Sequence, residues 1–111
     1  MKVTRFRHLR WEIQDHIKDA EKHYEFALHE KEDGDLKASK EQQMKGFSRV
    51  QKAKESLGEF SDYLRDCEYR DKHSSMDVQD ISDKYCAWRM LSDEWEHDIE
   101  ELEEKFNDLK I

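Results

Sequence analysis

The chain has 111 residues, enough for one domain, with no proline, three glycines and charged side chains at 43% of positions. A formal charge of −8 argues against a general nucleic-acid binder, which must neutralise phosphates, and no apolar run suits a signal peptide or membrane span. Hydrophobic residues make up only 35% of the chain but fall in periodic stripes, which points to narrow helical seams rather than to disorder.

Thr4 suits an N-cap, and a first helix is expected over about 4–32. Phe6, Leu9, Ile13, Ile17, Ala20, Tyr24, Ala27 and Leu28 recur at helical spacing and should form its buried face. Three acid–histidine pairs stand four residues apart: Glu12 with His16, Asp19 with His23, and Glu25 with His29. Such spacing lets side chains meet on one face, as surface ion pairs or as metal ligands. His16 and His23 border the seam and should be partly buried, with His29 outside. Glu21 falls among Ile17, Tyr24 and Leu28, in the sector expected to be buried. An inward carboxylate there needs a partner such as Gln43, a hydrogen-bond network or a metal. The alternative is that its stem packs while its head reaches solvent.

Gly34 suits the left-handed position after a helix and Asp35 the N-cap of the next, so a short turn should make the neighbours antiparallel. The second helix is expected over about 36–72. Its later seam is Val50, Ala53, Leu57, Phe60, Leu64 and Cys67; its earlier inward positions are Leu36, Ser39, Gln43, Gly46 and Phe47. Gly46 marks either a close backbone approach or a kink, and Gly58, off the seam, a second bend. Residues 73–76 break the pattern, and Ser74 followed by Asp77 resembles a capping box.

The third helix, expected over about 77–109, carries the clearest signal. Val78, Ile81, Tyr85, Trp88, Ser92, Trp95, Ile99, Leu102, Phe106 and Leu109 alternate steps of three and four. A 3.5-residue repeat sustained this long is a helix-packing seam. The fold class follows: all-α, a single domain of three long antiparallel helices in an up-down-up bundle with a coiled-coil-like seam. Trp11, Phe26 and Met90 lie off the seams, and large apolar side chains on so thin a bundle predict self-association. Cys67 and Cys86 are not level across the second turn and should remain free thiols, which together with the lack of an export signal points to the cytoplasm.

No strained turn, glycine-rich loop or triad context supports nucleophilic catalysis. Charge is distributed unevenly. Lys2, Arg5, Arg7 and Arg10 precede the first acid, Glu12, whereas 93–108 holds nine acids against Lys105 alone. In an up-down-up bundle, Glu100, Glu101, Glu103 and Glu104 should approach Glu30, Glu32, Asp33 and Asp35 to make an acidic pole opposite the basic start. Such a pole suits a basic protein partner, or obstruction of a nucleic-acid-binding protein, roles that fit a small accessory or phage-encoded protein.

Glu94-Trp95-Glu96-His97 contains Glu-x-x-His. With Trp95 and Ile99 inward, Glu94 and His97 should face outward, so metal binding there needs an interface between chains. The segment Ile17-Lys18-Asp19-Ala20-Glu21-Lys22, then Ala27-Leu28 and a short turn, together with the helix lengths and Trp95-Glu96-His97, resembles small three-helix ferritin-like (rubrerythrin-like) proteins. The resemblance implies Glu21 as a helix-one metal ligand, with Glu96, His97 and, across an interface, Glu94 as further candidates for iron, manganese or zinc. It also implies Glu-x-x-His in helix two, where this sequence has Gln43-Met44-Lys45-Gly46. Glutamine is a weak ligand and glycine none. The leading expectation is therefore a cofactor-free, non-catalytic interaction protein, with a ferritin-like metal protein and a structural coiled-coil element as alternatives.

Overall fold

The computed structural model describes residues 2–74 and 76–111, with side chains for 5–74 and 76–111. Three helices, α1 (Lys2–Glu32), α2 (Leu36–His73) and α3 (Val78–Asp108), account for nearly all of them. At 1.5 Å per residue α2 is about 57 Å long and its neighbours about 46 Å, within a body of 62 × 22 × 15 Å. None of these helices is long and apolar enough to cross a membrane. Helix α1 already includes Thr4, so that residue is not the N-cap expected from sequence, and its side chain lies outside the described residues.

The first turn follows its local code. Gly34 takes φ 84°, and the Asp35 amide donates to the Glu30 carbonyl at 2.9 Å, closing α1. The Asp35 carboxylate then accepts the Ala38 amide at 3.1 Å, opening α2. The second turn works differently. Ser74 does not open α3 in a capping box; its amide and hydroxyl both donate to the Asp71 carbonyl, at 3.2 and 2.9 Å, and so close α2. Asp77 is the N-cap position of α3 and makes no side-chain cap bond. Ser75, within this turn, lies outside the described residues.

Helix α2 runs antiparallel to both neighbours and is their shared support. Phe6, Leu9, Ile13, Ile17 and Ala20 of α1 meet Val50, Ala53, Phe60, Leu64 and Cys67 of α2 in one core with Ile81, Tyr85, Trp95, Ile99, Leu102 and Phe106 of α3. Aromatic pairs tie the layers. Phe6 stacks on Trp88 with ring centroids 4.9 Å apart, Phe60 meets Trp95 edge-on at 5.1 Å, and Tyr24 meets Phe106 edge-on at 5.4 Å.

The helices are staggered, and the stagger corrects three expectations of burial. Phe6, one turn into α1, lies level with Tyr63 and Tyr85, so the end of α2 and the start of α3 form a two-helix tip, where Val78 is 71% exposed. Helix α3 ends level with Gln43, so the opposite tip consists of α1 and α2 alone, and Leu28 and Leu36 are exposed there. The seams themselves are as the periodicity demands.

Gln43 and Gly46 fix where α3 stops. The Gln43 amide group donates to the carbonyls of Phe106 and Leu109 at 3.0 and 2.9 Å, satisfying acceptors that a helix end leaves open. Gly46 is buried, and a β-carbon there would overlap the Phe106 ring, so this glycine marks a close approach and not a kink. Gly58 is exposed with open space around it, and α2 continues unbroken through both glycines.

Candidate functional site

The acidic run of α3 is the dominant chemical feature of the surface. Among the described residues, its ion-paired members are Glu101, 3.0 Å from His97, and Glu103, paired with Lys54. Asp93, Glu94, Glu96, Asp98, Glu100 and Glu104 are exposed. Because α3 stops level with Gln43, this run flanks the later half of α1 and does not reach the 30–35 turn, which projects about two helical turns beyond it. Glu30 is half-buried there, Glu32 is exposed, Asp33 lies 3.4 Å from His29, and Asp35 caps α2. The acidic pole is thus a tip and a long flank at the same end of the rod.

Helices α1 and α3 both lie on α2 but share the sparsest of the three interfaces. Aromatic side chains bridge them near each end, and between these bridges runs an open groove. Ile17, Tyr24, Trp95 and Leu102 line its apolar floor; Glu21, Glu25, Glu94, Asp98 and Glu101 stand along its edges, with Lys18 and Lys105. The Lys105 ammonium lies 5.8 Å from the centre of the Tyr24 ring. Glu21 is therefore exposed at a groove edge and not buried, and Gln43, which caps α3, is not its partner.

The candidate metal ligands diverge. Glu21 and Glu94 share the α1–α3 groove, Glu96 lines a separate depression between α2 and α3 beside Lys54 and Ser92, and His97 pairs with Glu101. Among the described residues, no three His, Cys, Asp or Glu side chains are arranged to hold a metal. Glu21, Glu94, Glu96 and His97 thus do not converge on one point of the chain. The helix-two positions where the resemblance implies ligands instead seat the end of α3.

Of the three acid–histidine pairs, only Asp19–His23 forms, at 3.2 Å; Glu12 pairs with His8 at 2.9 Å. Arg49 is the hub that the sequence did not reveal. Its guanidinium donates to Asp19 at 2.7 Å and to His16 Nδ1 at 2.8 Å, while His23 also meets Gln42 at 2.7 Å. Burial and the Arg49 charge hold the His16 pKa below its ordinary 6.5. Partial burial raises the Asp19 pKa, but the hydrogen bond and charge of Arg49 outweigh it and the net shift is downward. A second cluster joins α2 to α3. The Tyr85 hydroxyl donates to the buried Asp71 carboxylate, which also accepts Lys84 Nζ at 2.9 Å. Burial, then the Asp71 bond, push the Tyr85 phenol up to about 12.

Trp11, Phe26 and Met90 are exposed, at 65%, 48% and 60%. Met44 and Tyr69 join them, although neither stood out from the periodicity. Cys67 is buried, Cys86 is exposed, and both are free thiols. No protein-family model, curated protein or solved structure matches this chain.

Proposed function

We propose that this protein is a non-catalytic helical interaction module, ferritin-like in form, that self-associates through exposed apolar side chains and docks a basic protein partner on its acidic end. The acid-rich flank of α3 carries this reading, because Asp93, Glu94, Glu96, Asp98, Glu100 and Glu104 face solvent and, among the described residues, make no ion pair. Exposed charge of one sign steers an oppositely charged partner and excludes like-charged ones. Trp11, Phe26 and Met90 support self-association, since large apolar side chains gain from being covered.

The test is a pull-down from cell extract with immobilised protein over rising salt, beside the Glu100→Lys/Glu104→Lys variant. That variant leaves the Lys54–Glu103 pair in place. The expected result is a partner released by salt and lost from the variant. Retention of the same partner by both proteins at all salt concentrations, or capture of none, defeats the reading. Light scattering tests self-association independently: a monomer at every concentration removes that part.

A further inference from the structure

We infer that the groove between α1 and α3 is the seat of a basic amphipathic helix, which would lie opposite α2 as the fourth member of a bundle. This assignment rests on the docking function proposed above and names its surface and the chemistry of its occupant.

The groove is helix-shaped for a reason visible in the packing. Parallel α1 and α3 each lean on α2 and meet one another sparsely, so the fourth corner of a bundle is open. Along α3 its edge follows Leu91, Glu94, Asp98, Glu101 and Lys105, a row rising by three and four residues. That row spans about 21 Å, or roughly four helical turns. Along α1 the matching row is Gln14, Lys18, Glu21 and Glu25. At the same helical spacing, exposed Trp11 precedes this row and exposed Leu28 follows it, offering an apolar contact beyond each end.

Charge decides among occupants. Five carboxylates border the floor against two lysines. A second copy seated groove to groove would set carboxylates against carboxylates, and an acidic or neutral helix would leave them without counter-charges. A helix with Leu-like residues on one stripe and Lys or Arg on both flanks would lie on the half-buried Tyr24 and Leu91 and place its cations beside Glu21, Glu94 and Asp98. Helix-in-groove recognition has this division of labour, with apolar anchors supplying affinity and flanking charge supplying orientation.

The probe is a synthetic 15-residue Leu/Lys amphipathic helix carrying a fluorophore, titrated by anisotropy at low and moderate salt. A shuffled peptide of the same composition is the control for charge alone. Two variants receive the same change in net charge: Glu94→Lys/Asp98→Lys in the groove and Glu32→Lys/Asp33→Lys at the 30–35 turn. All four positions are exposed, and circular dichroism verifies that the helices persist. Wild type should bind the amphipathic peptide at least about tenfold more tightly than the shuffled one, with affinity falling as salt screens the edges. The groove variant should lose about tenfold or more, and the turn variant should stay within about twofold of wild type.

Equal losses in both variants, equal binding of the shuffled peptide, or no binding at low salt overturns the groove assignment. Loss confined to the turn variant overturns it as well and moves docking to the tip. If a salt-released, Glu100- and Glu104-dependent partner is still captured in the pull-down, the interaction function survives the failure of the groove. If both experiments fail, neither stands.

Discussion

The two tips of the rod are each built from two helices, yet they are closed by different physics. At the α1–α2 tip, neighbours in sequence do the work: Gly34 reverses the chain in a left-handed conformation and Asp35 caps the next helix. At the α2–α3 tip, Asp71 gathers Tyr85 and Lys84 from across the turn, while its carbonyl accepts Ser74 and Met76. A turn set by adjacent residues can be recognised from its local signature, whereas one set by contacts between helices requires the docked partner.

The sharpest way to break the comparison is Asp71→Ala. It should cost about 3 kcal/mol, because the buried Tyr85 hydroxyl loses its acceptor and Lys84 its counter-charge. Denaturant unfolding measures this, and adding Tyr85→Phe should recover part of the loss by removing the stranded donor. Full additivity of the two changes would mean that the cluster does not act as a unit.

Gly46→Ala comes next, at about 2 kcal/mol, since the new methyl group must displace the Phe106 ring. The damage should concentrate in the last turns of α3, visible as faster amide exchange there than in α1. Unchanged stability would show that α3 shifts freely along α2, and that the stagger separating the tips is loosely set.

Gly34→Ala should cost about 1–2 kcal/mol at the first tip, from strain at positive φ in otherwise open space. A smaller cost than Asp71→Ala is the outcome that keeps the local tip and the cross-helix tip distinct. Equal costs would erase the distinction.

The smallest effect is a pH response outside both tips, in the Arg49 hub. The folded His16 pKa lies below 6.5, so as pH falls from 6.5 to that lower value the unfolded chain binds the proton first and stability decreases. Burial and Arg49 are the leading causes, Lys52 adds to them, and Asp15 and Glu12 oppose them. Asp19 has a lowered carboxyl pKa, so its contribution is present above the ordinary 3.8 and disappears only in stronger acid. Melting at pH 7.5 and 5.5 should show a smaller drop for His16→Gln than for wild type. Identical drops would assign the response elsewhere.

These contrasts also explain what was legible beforehand. The three helices, Gly34–Asp35, the α3 seam and the exposed Trp11, Phe26 and Met90 follow from periodicity and local chemistry, which belong to single helices. Leu28, Leu36 and Val78 were misplaced because a helical wheel tells which side faces a neighbour but not where that neighbour ends, whereas Glu21 takes the solvent-reaching alternative of its two readings. Gln43 read as a defective ligand because its role, holding the end of α3, depends on a residue pair 63 positions apart. Ser74 read as the start of one helix because the bond to Asp71 that makes it the end of another competes locally with the capping pattern. The α1–α3 groove was missed for the same reason as the stagger: it is a property of how three helices share one support.

That shared support has a kinetic consequence. Helix α1 makes the fuller interface with α2, and α3 the lesser one. Helix α3 is therefore the element to detach first, lifting from α2 while the α1–α2 hairpin remains closed. In such an opening Trp95 and Ile99 would meet water before Leu9 or Ile13. A ligand bridging α1 and α3 would act as a latch on this opening, slowing the unfastening of the bundle without touching the helix on which both lie.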